Sequence, residues 1–107
     1  MRILFVCTGN MDSSPTAEDL LKGRKGFEVL SAGTWIDAPR RISQSLIDWA
    51  DKILVMQDQH KKAILELKPD VESKLEVLNV PDIYQRNDPE LVKTLKAKLA
   101  EHLKIKW

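Results

Sequence analysis

Short apolar runs alternate along the chain with longer segments in which apolar residues recur at helical spacing. Four of the short runs are rich in Val, Ile, Leu or Phe and stop close to turn-forming residues, as is typical of buried strands. The predicted strands cover residues 2–6, 27–31, 53–56 and 75–80. Each is separated from the next by a segment long enough for a helix.

Start and stop signals define two of the helices. Ser14 before Pro15 predicts a helix with Ser14 as its N-cap and Pro15 at the first helical position, ending near Gly23 or Gly26. Asp88 before Pro89 opens the last helix in the same way. Apolar faces predict the helices, with Ile42, Leu46, Ile47, Trp49 and Ala50 in the second, Ala63, Ile64 and Leu67 in the third, and Leu91, Val92, Leu95, Leu99 and Leu103 in the last.

The regular alternation of strands and helices predicts the fold class. We expect one α/β domain over residues 1–107, with three layers: a four-stranded parallel sheet and helices on both of its faces. In such folds ligands bind beyond the carboxyl ends of the strands. Any functional site should therefore include the loops that follow the strands.

Composition and charge narrow the classes of function. The formal net charge is +1, which does not indicate nucleic acid or an anionic membrane as a partner. The apolar run at residues 3–7 is too short for a signal-peptide core or a membrane span. Cys7 is the single cysteine, so a cytoplasmic protein with a buried or reactive thiol is expected.

The segment between the first strand and the first helix holds the candidate chemistry. Cys7 ends the strand, and the chain must turn sharply before Ser14, with Gly9 and Asn10 best able to adopt positive φ. Such a turn directs backbone N–H groups and a helix N-terminus toward one concavity, which favours an anion and a thiolate. From these residues alone, two hypotheses are equally well supported: Cys7 is a nucleophile, or it is buried and inert.

The same residues carry a wider resemblance. The run from Ile3 through Cys7 to Asn10, followed by Ser14-Pro15-Thr16-Ala17-Glu18, resembles the low-molecular-weight protein tyrosine phosphatases. Further matches are Ser31-Ala32-Gly33-Thr34 after the second strand, Ile53-Leu54-Val55-Met56 in the third, and Pro81-Asp82-Ile83-Tyr84 in the loop that carries the family's catalytic aspartate. The chain is most similar to the short bacterial and archaeal branch of predicted phosphatases.

This resemblance implies a phosphatase I-like fold and a hydrolase mechanism through a phosphocysteine. Cys7 would be the nucleophile and Asp82 the general acid and base. Asn10 would support the loop, Ser14 would donate to the thiolate, and Trp35 and Tyr84 would wall the entrance. The implied phosphate-binding residues are Thr8, Gly9, Asn10, Met11, Asp12, Ser13 and Ser14.

One position departs from the family signature. The family carries an arginine six residues after the cysteine, and this chain has Ser13 there. A guanidinium clamps two phosphoryl oxygens, whereas a hydroxyl offers one uncharged hydrogen bond. Asp12 places a carboxylate nearby, and we expect it to repel phosphate. Arg40 or Arg41 is the candidate for a substitute cation from outside the loop.

Three functions therefore stay open at the level of sequence. The first is a phosphatase of phosphorylated proteins or small phosphomonoesters, with activity weak or lost. The second is a non-catalytic protein that binds an oxyanion, such as phosphate or sulfate, or a phosphorylated partner. The third, ranked lowest, is a cysteine phosphocarrier of the sugar-transport type. We expect no cofactor and no metal, since His60 and His102 have no partner at ligand spacing and are predicted to lie at the surface or half-buried.

Overall fold

A computed structural model describes all 107 residues and contains one four-stranded parallel sheet. The strands are β1 (Arg2–Cys7), β2 (Glu28–Gly33), β3 (Lys52–Val55) and β4 (Leu75–Val77). Their order across the sheet is β2-β1-β3-β4, so β1 pairs with β2 on one side and β3 on the other. The predicted fold class is confirmed.

Helices cover both faces of this sheet. They are α1 (Ser13–Leu21), α2 (Gln44–Trp49), α3 (Asp58–Leu67) and α4 (Pro89–Leu103), and a 3₁₀ helix, Pro69–Lys74, precedes β4. No helix is both long and apolar enough to cross a membrane.

Alternate residues of β1 face two separate apolar clusters, as expected for a strand buried on both sides. Ile3, Phe5 and Cys7 face the cluster that α1 and α4 complete. Leu4 and Val6 face the cluster that α2 and α3 complete. The central strand therefore anchors both layers, and its carboxyl end is held rigidly where Cys7 begins the next loop.

The bounds of several elements differ from the predicted ones. The first helix begins at Ser13, with Asp12 rather than Ser14 at the N-cap position, so Pro15 is its third residue. The prediction of Ser14 as N-cap was wrong because the Ser14 hydroxyl is used by the loop that precedes the helix. The last strand ends at Val77 rather than residue 80, two residues before Asn79 adopts a φ of 58°. The opening of α4 was correct: Asp88 accepts a hydrogen bond from the Glu90 amide at 2.8 Å.

Candidate active site

A cavity of about 300 Å³ opens at the carboxyl end of β1. We call residues 7–14 the Cys7 loop and residues 81–88 the Asp82 loop. The cavity is lined by Cys7, Thr8, Gly9, Met11, Asp12, Ser13, Trp35 and Asp82. Loops that follow β1, β2 and β4 thus meet at one place, the position at which the strand order reverses around β1.

The thiol of Cys7 lies at the cavity wall and receives hydrogen bonds. The Asn10 amide donates to Sγ at 3.2 Å, and the Ser14 Oγ lies 2.9 Å from Sγ. The Ser14 oxygen accepts from the Asn10 side chain at 3.1 Å, so its own proton has two acceptors within reach, the Cys7 sulfur at 2.9 Å and the Ala32 carbonyl oxygen at 3.5 Å. Polar groups of its own loop therefore hold the sulfur in place.

Asn10 holds the Cys7 loop from behind. Its Nδ2 donates to the hydroxyls of Ser14 and Ser31, at 3.1 and 2.9 Å, and its Oδ1 accepts from the Arg40 amide at 3.2 Å. Asn10 takes the positive φ that the turn requires, 53°, whereas Gly9 does not take one. Asn10 and Ser14 are buried and do not line the cavity, so of the seven predicted phosphate-binding residues these two act on the loop instead.

The network continues away from the cavity into the first helix. Ser31 donates to Glu18 Oε1 at 2.6 Å, which ties the end of β2 to α1. Gly33 lies so close to the Cys7 loop that a Cβ there would be 2.6 Å from the Thr8 carbonyl oxygen and 3.0 Å from the Asn10 nitrogen. The loop is therefore confined by β2 as well as by its own residues.

The cavity side of the Cys7 loop offers backbone donors. The amides of Thr8, Gly9, Met11, Asp12 and Ser13 donate to no acceptor within the chain. These five residues line the cavity, at the amino end of α1. Unpaired amides next to a helix N-terminus provide an anion-binding site.

No basic side chain lines this cavity. Ser13 lies in its wall and is 3% exposed, and the two charged lining residues, Asp12 and Asp82, are both acidic. Arg40 lines a separate depression with Glu18, and Arg41 lines another with Glu66. Neither arginine supplies the substitute cation that the sequence suggested.

The Asp82 loop brings its aspartate to the cavity that holds Cys7, although the two residues lie far apart in sequence. Trp35 also lines the cavity and is 62% exposed. Tyr84 was predicted to wall the entrance, but it packs against the apolar cluster of α1 and α4 and is absent from the lining. The neighbouring Ile83 is exposed instead.

His60 is a residue of the site that the sequence analysis misplaced. It is buried rather than at the surface or half-buried, and its Nε2 lies 2.9 Å from the Thr8 hydroxyl in the cavity wall. Its Nδ1 accepts from the Gln57 amide at 3.0 Å, so the proton of a neutral ring is on Nε2 and is donated to Thr8. Burial lowers the pKa of His60, against the charge of Asp82, which raises it. Gln57 and His60 have the spacing of a capping box, and this spacing could have indicated from the sequence that the His60 ring turns back toward the start of α3.

No group of three or more His, Cys, Asp and Glu side chains is arranged to hold a metal ion. The polar groups of the residues that line the cavity are a thiol, two carboxyl groups, hydroxyls and backbone amides.

Comparison with known proteins supplies the family. No protein-family model matches the sequence. A protein-arginine-phosphatase of Geobacillus stearothermophilus is 38% identical over an alignment of 97 positions that covers 68% of this chain and 66% of that protein, just under two thirds of its length. The low-molecular-weight protein-tyrosine-phosphatase Wzb of Salmonella typhi is 29% identical over 117 positions, covering 80% of this chain and 78% of that protein.

Solved structures agree with these relatives. The arginine phosphatase YwlE from Geobacillus stearothermophilus matches with a TM-score of 0.73 and 29% identity, over 96% of this chain and 92% of that one. A cysteine-to-serine mutant of YwlE with a phosphorylated active-site serine also has a TM-score of 0.73, at 26% identity over 97% and 96% of the two chains. Sequence, topology and the loop after β1 thus agree, and the chain belongs to the low-molecular-weight protein-tyrosine-phosphatase family.

Proposed function

We propose that this chain is a slow phosphatase that cleaves phosphomonoesters, including those of phosphorylated proteins, through a phosphocysteine on Cys7. The observation that carries the proposal is the placement of a hydrogen-bonded thiol and the Asp82 carboxyl group in one cavity, whose lining includes five residues with unpaired amides. The relative with a phosphorylated serine in place of its active-site cysteine supports covalent transfer to this position. A lone cysteine used as a nucleophile also suits a reducing compartment such as the cytoplasm.

The proposed reaction has two steps. The Cys7 thiolate attacks phosphorus, the bond from phosphorus to the leaving oxygen breaks, and protonated Asp82 gives its proton to that oxygen. Ionised Asp82 then takes a proton from water as the water attacks phosphorus, the sulfur–phosphorus bond breaks, and phosphate and the thiolate are released. Asn10 and Ser14 hold the sulfur in place during both steps, at 3.2 and 2.9 Å.

The slow rate follows from Ser13, which in this proposal occupies the position of the family's signature arginine. Phosphoryl transfer relies on charge stabilisation of the equatorial oxygens, and an arginine in that role is worth ~10³–10⁵ in rate. Here the amides of the Cys7 loop would act alone, while Asp12 and Asp82 add negative charge to the same cavity. We therefore expect turnover well below that of a complete phosphatase site.

A second function, binding without cleavage, is supported by the backbone amides of the cavity and by the absence of a cation that would assist cleavage. A cavity with amide donors and an exposed Trp35 at its wall suits retention of a phosphorylated side chain without cleavage. In that case the chain would be a phosphoprotein-binding member of the family. The phosphocarrier alternative gains no support from the geometry, because Asp82, the group suited to protonate a poor leaving group, lines the cavity.

Turnover and covalent transfer distinguish these functions. The chain is incubated with p-nitrophenyl phosphate, a phosphotyrosine peptide and a phosphoarginine peptide, and phosphate release and acid-quenched mass spectra are recorded. For the parent chain we expect slow phosphate release and a phosphoryl group trapped on Cys7. Cys7→Ser should abolish phosphate release. Asp82→Asn should increase the fraction of the chain that carries the trapped phosphoryl group. Binding of the peptides without release or trapping would support the second function and contradict the first. Release from the phosphotyrosine peptide would support the phosphomonoester class, whereas release from the phosphoarginine peptide alone, in which phosphorus is bonded to nitrogen, would contradict it.

A further inference from the structure

The carboxylate of Asp12 does not act on its own helix. It stands at the N-cap position of α1, where an aspartate ordinarily accepts an amide of the first turn, yet it makes no such bond. Its Oδ1 instead accepts the backbone N–H of Arg86 in the Asp82 loop, at 3.0 Å. A favourable local bond is thus replaced by a contact between residues 74 positions apart.

Two further contacts join α1 to the Asp82 loop. The Thr16 hydroxyl accepts the Asn87 amide at 3.0 Å, and the Arg86 guanidinium pairs with Asp19 at 2.9 Å. Asp12, Thr16 and Asp19 are spaced four and three residues apart, so they share one face of the helix start. The Asp82 loop is therefore fastened to α1 in a row that begins at the cavity and runs outward.

We propose that Asp12 is a positioning residue: its carboxylate fastens the Asp82 loop to the start of α1 and so keeps Asp82 in the Cys7 cavity. Asp12 is the contact nearest the cavity, because it lines the cavity together with Asp82 while Thr16 and Asp19 do not. Repulsion of phosphate by the Asp12 charge does not explain the hydrogen bond that Asp12 accepts from Arg86. The structural part of this proposal is independent of the reaction, whereas the effect on Asp82 as an acid rests on the proposed function.

Asparagine and alanine variants separate the acceptor from the charge. Asp12→Asn keeps a side-chain oxygen that can accept the Arg86 amide but removes the charge, and Asp12→Ala removes both. We expect hydrogen exchange at the Arg86 amide, followed by NMR, to accelerate about threefold to tenfold in Asp12→Ala, in line with one lost hydrogen bond, and to change much less in Asp12→Asn. Asp19→Ala is the matched control on the same helix face, and as an exposed ion pair it should have the smaller effect.

Two results of the hydrogen-exchange measurement would overturn the proposal. Exchange at Arg86 that is unchanged in Asp12→Ala, or equally fast in Asp12→Asn and Asp12→Ala, means that the Asp12 oxygen does not fasten the loop. These measurements need no substrate, so they stand even if the chain hydrolyses nothing.

A second measurement follows the effect on Asp82 and uses phenyl phosphate beside p-nitrophenyl phosphate. Loss of a general acid slows the poor leaving group, phenol, more than the good one. We expect Asp12→Ala to reduce kcat for phenyl phosphate at least about threefold more than for p-nitrophenyl phosphate, with Asp12→Asn restoring most of the difference. An equal loss for both substrates overturns the link to Asp82, while no turnover of either by the parent chain contradicts the proposed function and leaves the exchange result intact.

Discussion

The buried side of the Cys7 loop and the side that faces the cavity differ in how their polar groups are paired. On the buried side, the side chains of Asn10, Ser14 and Ser31 are all satisfied, through a network that ends at Glu18. No buried side-chain nitrogen or oxygen of the chain lacks a partner. Among the residues that line the cavity, five have backbone amides without an acceptor, and the only charged side chains are carboxylates.

Because of this difference, one set of residues determines the shape of the Cys7 loop and another set determines the charge that it presents to a ligand. The loop keeps its form because Asn10 and Gly33 constrain it from behind, and neither residue touches the cavity. A change at Ser13 on the other side alters the charge available to a ligand without removing any of those constraints. The shape of the cradle therefore does not depend on the charge that its cavity side offers to a ligand.

The largest effect should come from restoring a cation on the cavity side. We expect Ser13→Arg to raise the rate of aryl phosphate hydrolysis by at least ~10², the lower end of the worth of one transition-state donor. The gain should appear mainly in kcat, because the guanidinium binds the equatorial oxygens most strongly when phosphorus is trigonal. Steady-state kinetics with p-nitrophenyl phosphate measure it.

Ser45→Arg is the control for charge alone, since Ser45 is exposed on α2 and outside the cavity. It adds the same side chain to the protein and should leave the rate unchanged. A parent chain that already turns over as fast as Ser13→Arg would show that the amides of the loop are sufficient and would remove the contrast between the two sides.

The next effect tests the buried side. Asn10→Ala should lower the free energy of unfolding by about 2–3 kcal/mol, because Arg40 loses an acceptor, two buried hydroxyls lose a donor, and alanine is strained at a φ of 53°. Urea denaturation followed by circular dichroism measures it. Asn79→Ala is the matched control: Asn79 has a similar φ of 58° but is exposed and outside this network. Equal losses in both variants would mean that the network contributes nothing beyond backbone strain.

Close approach of β2 to the loop gives a third prediction. Gly33→Ala places a methyl group 2.6 Å from the Thr8 carbonyl oxygen, 2.7 Å from the Ala38 Cβ and 3.0 Å from the Asn10 nitrogen, and backbone cannot yield as a flexible side chain does. We expect a loss of about 1–3 kcal/mol in stability and weaker binding of inorganic phosphate, measured by denaturation and by titration calorimetry. Stability lost with phosphate affinity unchanged would show that the loop relaxes without altering its cavity side.

The smallest effect concerns pH. The folded chain lowers the pKa of His60 below its ordinary value near 6.5, so the unfolded chain binds a proton more readily than the folded one. As pH falls from about 6.5 toward the lower folded value, this residue should reduce stability, by at most about 1.4 kcal/mol per pH unit. Above pH 6.5 its contribution should be constant. Denaturation at several pH values, compared with His60→Gln, measures the dependence, and an identical profile in the variant would contradict it.

Much of the fold was predictable because its signals are local. Periodic apolar positions indicated the strands and helices, and Asp88 before Pro89 marked the start of α4 at the correct residue. The order Cys7, Gly9, Asn10 and Ser14 likewise indicated a sharp loop at the end of a strand. The positive φ predicted for Gly9 or Asn10 is found at Asn10. The prediction for Ser14 failed because its hydroxyl had two possible uses, and it hydrogen-bonds with Cys7 rather than capping α1.

By itself, then, the sequence determined an α/β sheet with a cysteine loop in which a serine, Ser13, lies six residues after Cys7. Those features depend on neighbours along the chain. Only the tertiary structure decided that Asp12 bonds to Arg86, that His60 lies buried behind Thr8, and that Tyr84 packs on the core. The first two contacts join residues 74 and 52 positions apart, and the third depends on how the Asp82 loop packs. They exist because separate loops converge above one sheet, and no local pattern encodes which of their polar groups will meet.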